Sequence, residues 1–413
     1  MILLLWGVAI VAAYLAAQSI GTSRMKLFAP PLFGHFDLRL GPRVVPAALL
    51  AVGVVVFGAR IVRLPSWRAV VIGTVATAGT WAVALAYVDG WDALGAPLLG
   101  RADYLRVVPL VEPVGEWLRT FTARLAAYPV HVEGHPPGMV LVLWALRRAG
   151  IGVTGMAGVI IAAGASSAGA ALVALRNVAG EDAARRAAPY LALTPAAIWI
   201  ATSADALWLG LSAWGIACVV VATSRSGARG DVLAVAGGTL LGCALFLSYG
   251  IVPLGALVVA VALHRRRMRP LLLGAVAVGV VAAAFSVAGF WWWEGLEATL
   301  GRYEAGISAQ RPGAYFVWAN LAAFAIALGP AVVIAMTRLR HRAAWLLVGG
   351  ALVAVAAADL SGFSKGEVER IWLPFVPWLT IATCAFVGRE HRGMLALQAL
   401  VGLVVGIGVR TPW

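Results

Sequence analysis

Apolar stretches run through the chain almost end to end, separated by short turns that carry arginine. A helix needs about 20 apolar residues to cross the hydrocarbon core of a bilayer. Segments near 2–20, 44–61, 69–88, 152–175, 188–204, 206–223, 232–248, 250–264, 271–291, 316–337, 343–359, 371–388 and 393–409 meet that description, which predicts thirteen transmembrane helices. The expected fold is all-α, a polytopic integral membrane bundle in one transmembrane domain over 1–413. The first run, Met1 to Gly21, has no basic flank before it and is long for a signal-peptide core, so it is read as a helix.

Composition agrees with the pattern. Of 413 residues, 62% are hydrophobic and 12% charged, which excludes a soluble enzyme and a disordered chain. The net charge of +14 would suggest nucleic-acid binding in a soluble domain. Here the arginines lie in the brief turns between spans, where they set orientation, and no nucleic-acid partner is expected. The turns around Arg60–Arg68, Arg176–Arg186, Arg225–Arg229, Arg265–Arg269, Arg338–Arg342 and Arg389–Arg392 are assigned to the cytoplasm. Only Glu181, Asp182, Asp231 and Glu390 fall with them, and the other fourteen acids face out. Arg24, Lys26, Arg39 and Arg43 break the rule, because parity puts them outside. The cysteines Cys218, Cys243 and Cys384 lie within apolar runs and read as small core residues.

Three outer segments, 89–151, 292–315 and 360–370, are too long to be turns, and loops of that length are usually functional. In the first, Trp117, Leu118, Phe121 and Leu125 recur at helical spacing, predicting an amphipathic helix from Val114 to Ala127 in the membrane interface. After His135-Pro136-Pro137-Gly138, the apolar stretch to Leu146 is too short to cross and is read as a helix dipping into the outer leaflet. Trp91, Trp291, Trp292, Trp293, Trp318 and Trp372 mark the outer interface.

Asp103-Tyr104, then His135-Pro136-Pro137-Gly138, then Arg185-Arg186-Ala187-Ala188, then Thr202-Ser203-Ala204-Asp205-Ala206-Leu207 follow one another in that order. This order resembles the membrane-embedded GT-C glycosyltransferases that use polyprenyl-phosphate sugars, including protein O-mannosyltransferases and aminoarabinose lipid A transferases. The resemblance covers roughly 69–223, a core containing the outer loop 89–151. Residues 1–68 add helices before it, and 224–413 supply the remaining spans. The family's adjacent Asp-Glu pair is absent. The resemblance implies a hexosyl- or pentosyltransferase of the cytoplasmic membrane, working on the extracytoplasmic side. Its partners would be a polyprenyl-phosphate sugar donor, a cell-envelope acceptor and the lipid bilayer. Such enzymes vary in their need for a divalent cation, and no cofactor is assigned. The scarcity of lysine and the wealth of Ala, Gly and Val suit a high-GC, actinobacterial source.

The chemistry asks for the same groups. Sugar transfer to a hydroxyl needs a general base, for which Asp103 is the first candidate, with Asp89 and Asp92 as rivals. Each of these acids would also serve as a turn or cap residue. His135, ahead of two prolines, is held extended and contacts acceptor or donor phosphate, or else caps the short helix. Tyr104, His131 and Glu133 join it as substrate-binding candidates. His131, Glu133 and His135 would alternate along an extended strand, a conceivable though incomplete zinc set. In 360–370, Arg370 and Lys365 are candidates for a phosphate clamp, with Glu367 and Glu369 beside them. An interfacial anchor explains the same charges. Arg302, Arg311, Tyr303 and Glu304 offer a second such surface, and Asp205 is a functional acid or a helix cap. A polytopic transporter or lipid flippase is the alternative. It would want paired broken helices and midplane charges, which the sequence does not clearly show.

Overall fold

The computed structural model describes residues 1–412 except Leu64 and Thr202, and leaves aside the side chains of Ala59, Ile61 and Arg389. Thr202 of the Ser-Ala-Asp step and the Arg389 side chain thus lie outside the described residues. The chain is a polytopic helical membrane bundle. Its only sheet among the described residues is a two-stranded antiparallel pair, His35–Phe36 with Val409–Arg410.

Seven described helices are each long and apolar enough to cross a membrane: Ile2–Ile20, Trp67–Asp89, Val153–Ala179, Asp205–Ala222, Ala228–Leu245, Met268–Val287 and Glu390–Gly408. The expected span 316–337 is a pair, Gly313–Leu328 and Pro330–Arg338, bent by 97°. The bend falls where Gly329 adopts a φ of 80° and Pro330 removes a backbone donor. Four further apolar helices are shorter: Pro42–Gly58, Tyr249–Arg265, Ala344–Leu360 and Leu373–Ala385.

The expected continuous helix over 188–204 is corrected. The helix there is Glu181–Ala192, followed by a single turn at Ala197–Ile200. It begins in the charged Glu-Asp-Ala-Ala-Arg-Arg stretch that hydropathy assigned to a turn, and it stops before Pro195. Arg185 reaches back to Glu181 and to the Val62 carbonyl, which holds this charged end against the neighbouring helices.

Small residues let the central helices meet closely, the common solution where lipid supplies no hydrophobic drive between helices. Val153–Ala179 packs on Asp205–Ala222, which packs on Ala228–Leu245, which packs on Met268–Val287. A Cβ at Gly210 would collide with the Ala163 backbone, and one at Gly238 with the Gly274 backbone.

Polar contacts define two ends of the bundle. At one, Arg265 donates to the Asn177 side chain and carbonyl and to Thr223, Arg186 donates to the Cys384 carbonyl, and Arg269 pairs with Asp231. At the other gather the long loops, with Asp89, Asp103, Asp205 and Arg370.

The loop 89–151 departs from the amphipathic helix expected over Val114–Ala127. Only Val114–Thr120 is α-helical, and a turn leads to a 3-10 segment at Leu125–Ala127. Trp117, Leu118, Phe121 and Leu125 are all buried, with the Phe121 ring 5.3 Å from Tyr128 and 5.7 Å from Phe290. The apolar stripe therefore packs on protein, since Phe290 and its neighbours offer a surface that lipid was expected to provide. The short helix after the prolines is present as Gly138–Arg148. Its first residue explains the glycine in His-Pro-Pro-Gly. The Gly138 amide donates to the Phe246 carbonyl at 2.8 Å, and any Cβ would strike that oxygen.

Of the interface tryptophans, Trp91, Trp291, Trp293 and Trp318 are exposed, as a belt requires. Trp372 is not: it is buried against Phe324 and Phe375. Trp292 is turned inward, donating to the Leu245 carbonyl at 3.0 Å.

Candidate functional site

Three stretches distant in sequence converge at the loop-bearing end. The first is Asp103-Tyr104. Asp103 Oδ1 accepts from the Tyr104 amide at 2.7 Å, which starts a 3-10 turn and fixes the carboxylate. Its Oδ2 faces His131 Nδ1 at 3.3 Å. The His131 amide donates to the Ala102 carbonyl, so backbone and side chain together hold the histidine beside the acid.

The second stretch is His131 to His135. Val130–Glu133 is a helical turn, which corrects the alternating strand and removes the zinc set built on it. Glu133 points to Arg302 at 3.3 Å, away from the Asp103–His131 pair. Among the described residues no group of three His, Cys, Asp or Glu is placed to hold a metal. His135 Nδ1 donates to the His131 carbonyl at 2.7 Å, and this tautomer leaves Nε2 as an acceptor. The imidazole lies 5.1 Å from the Trp208 ring and 6.0 Å from Tyr104. Burial, opposed by the nearby Asp205 carboxylate, lowers its pKa to about 4, so it is neutral at pH 7.

The third part joins Asp205 to Arg370. Asp205 opens the Asp205–Ala222 helix, buried, and accepts from Ser203 Oγ at 2.6 Å. Arg370 bonds directly to Asp205 through Nη1 and to Glu367 through Nη2 at 2.9 Å. Burial works against the guanidinium charge, but the two carboxylates outweigh it and leave its pKa raised. Glu367 takes a left-handed backbone, φ 63°, to turn its side chain back onto Arg370.

Tyr104 lies among these groups. Its hydroxyl is buried without a hydrogen-bond partner among the described residues. Burial first, then Asp205 and Asp103, push its pKa well up, so it is a neutral donor. An orphaned buried hydroxyl costs about 1–3 kcal/mol unless something else satisfies it.

Most of the remaining sequence candidates have partners of their own. Glu369 is fully buried and accepts from the Phe33 amide at 2.7 Å, while its Oε2 has no partner among the described residues. Burial raises its pKa to about 7. Lys365 donates to the Ala309 carbonyl at 3.0 Å, and buried Arg311 donates to the Lys365 carbonyl. Tyr303 donates to the Gly362 carbonyl at 3.0 Å, and Glu304 is exposed. Asp89 is not with them: it pairs with Arg39 and, at 3.4 Å, with Arg410. Asp92 is exposed nearby.

Several neighbours of the candidate site had no signal in the sequence. Trp208, beside His135, belongs to no motif in the sequence. Phe33, whose backbone meets Glu369 across 336 positions, lies in a loop that carried no motif. The opposite charges at Asp205 and Arg370 were visible, but nothing in the pattern paired them.

No protein-family model matches the chain, and no curated protein matches it. Among solved structures it is similar to ArnT from Cupriavidus metallidurans in the apo state, with a TM-score of 0.45 and 17% identity. The match covers 68% of this chain and 58% of that one, so the chain spans less than two thirds of that structure's length.

Proposed function

We propose that the protein is a membrane glycosyltransferase of GT-C type. It moves a hexose or pentose, mannose and arabinose being the first choices, from a polyprenyl phosphate to a hydroxyl of a cell-envelope glycan, lipid or protein. The observation that carries this reading is the convergence of Asp103, His131, His135 and the buried Asp205–Arg370–Glu367 set around the unpartnered Tyr104 hydroxyl. The motif order over 69–223 supports it, with that stretch as the core of the domain. The orientation that puts arginine-rich turns inside supports a site on the outer face of the cytoplasmic membrane.

In this reading Asp103 takes the acceptor hydroxyl proton, with His131 orienting the carboxylate. The acceptor oxygen then bonds to the sugar's anomeric carbon, the carbon–oxygen bond to phosphate breaks, and polyprenyl phosphate leaves with the electron pair. Asp89 is the rival base, although Arg39 and Arg410 already occupy it. Tyr104 donates to a sugar or phosphate oxygen, and His135 Nε2 accepts from a sugar hydroxyl. Arg370, fixed by Asp205 and Glu367, supplies a stationary positive charge toward the departing phosphate. Lys365 and the Glu133-held Arg302 are further substrate contacts in this reading, and Glu369 holds the Arg370 segment by its bond to Phe33.

A transporter or flippase reading is favoured by one observation, the 97° break at Gly329. That break is plugged, since Gln398 donates to the Leu328 carbonyl at 2.6 Å. The test is a transfer assay in nanodiscs with a panel of labelled polyprenyl-phosphate sugars and envelope extract. Label entering the extract supports the enzyme. Label crossing a proteoliposome membrane without transfer supports the alternative.

A further inference from the structure

The outer arginines that broke the charge rule build a second site. The segment 35–39 runs antiparallel to the end of the last helix, with His35 opposite Arg410 and the Arg39 amide bonded to the Ile407 carbonyl. Arg39 turns its guanidinium onto the Gly406 and Val409 carbonyls and onto Asp89. Arg410 pairs with Asp37 at 3.2 Å and with Asp89 at 3.4 Å while remaining half exposed. Arg39, Arg43, Asp89 and Arg410, with Pro42 and Val88, line a pocket of about 370 Å³. None of its lining residues belongs to the Asp103–Asp205 cluster.

The charges in this pocket do not cancel. Arg39 and Arg410 face Asp89 and Asp37, whereas Arg43 makes no hydrogen bond or ion pair among the described residues. Its guanidinium is held over Gly90, where an added Cβ would lie 3.1 Å from Nη1. The Pro42–Val44 turn that opens the next span also lines the pocket, adding the positive end of a helix dipole. A surplus cation in a pocket with that dipole is suited to a phosphate oxygen.

Leu40, which lines the pocket, is largely exposed, as are Leu38, Val45 and Leu49, near it in sequence. A free anion has no use for that surface, whereas an amphiphile does: its phosphate enters the pocket and its acyl or prenyl chain follows these side chains.

We propose that the Arg39–Arg43–Arg410 pocket binds the phosphate of an anionic membrane lipid, with Arg43 as its free contact. This proposal does not rest on Asp103 as the base; the pocket shares only Asp89, the rival base, with the glycosyl-transfer reading. The phosphate chemistry alone would also admit inorganic phosphate, so the test has two arms.

Full-length protein is reconstituted in nanodiscs of phosphatidylcholine with a minor share of phosphatidylglycerol, and the lipid retained after gentle release is weighed by native mass spectrometry. The second arm titrates inorganic phosphate onto the protein in detergent. The expected result is retention of phosphatidylglycerol over phosphatidylcholine, weakened about tenfold or more in Arg43→Gln and in Arg410→Gln. Arg43 is exposed and unpaired, so its removal leaves the fold intact, and an unchanged melting temperature confirms this. Equal retention of both lipids, or retention that Arg43→Gln leaves unaltered, overturns the proposal. Binding of inorganic phosphate without any lipid preference overturns the lipid assignment.

Discussion

Arg370 and Asp205, 165 positions apart, form a direct ion pair with almost no exposure to solvent at either side chain. Neither charge is tolerable there without the other, because the desolvation cost of a lone buried ion is several kcal/mol. Removing one partner therefore does more than delete a contact. Arg370→Ala should cost about 3–5 kcal/mol of stability by stranding Asp205. Thermal unfolding of Arg370→Ala, Asp205→Ala and the double variant would show it: the double variant is expected to be more stable than the sum of the singles. Strict additivity would mean that the pair is not coupled.

Substitution at Gly138 tests the other determinant of the site's shape. A Cβ there meets the Phe246 carbonyl oxygen to which the Gly138 amide is bonded. Gly138→Ala is expected to destabilise by about 1–3 kcal/mol, as overpacking does. It should also displace His135, three residues earlier. A melting temperature equal to wild type would show that the close approach is not rigid.

Two groups near the site give stability a pH dependence of opposite sign. Glu369 is raised from 4.5 to about 7, so between those values the folded state binds more protons than the unfolded chain. Its contribution is full below about 4.5 and is lost as pH rises toward 7. His135 is lowered from 6.5 to about 4, so the unfolded chain binds more protons in that range. Its contribution is full above 6.5 and is lost as pH falls toward 4. The two oppose each other where the windows overlap. Melting temperature against pH should therefore rise more steeply with pH in Glu369→Gln than in wild type, and less steeply in His135→Gln. A curve unchanged by either variant would refute both assignments.

The membrane bundle was legible because apolar run length and the placing of arginine act locally, and each of the seven long helices coincides with an expected span. Breaks were less legible. At 188–204 the charged Glu181–Arg186 stretch looked like a turn, although its i, i+4 pair of Glu181 and Arg185 stabilises a helix. The Trp117–Leu125 stripe was correctly seen as one face, but a stripe does not say whether lipid or protein covers it. In the site, Asp103, Tyr104, His131 and His135 were visible as a local motif. Their meeting with Asp205 and Arg370, and the Phe33–Glu369 bond, depend on chain crossings that no periodicity encodes.

The central claim is that Asp103 is the base of a sugar transfer. The most direct measurement is single-turnover transfer from a labelled polyprenyl-phosphate sugar by wild type, Asp103→Asn and Asp89→Asn in nanodiscs, with donor binding and melting temperature measured on the same samples. Loss of a positioned base should slow Asp103→Asn by about 10²–10⁴-fold. Its donor binding and stability should stay close to wild type, because the amide still accepts from the Tyr104 backbone. Asp89→Asn should retain most of its rate. Full rate in Asp103→Asn, with loss in Asp89→Asn, would contradict the account and move the base to Asp89.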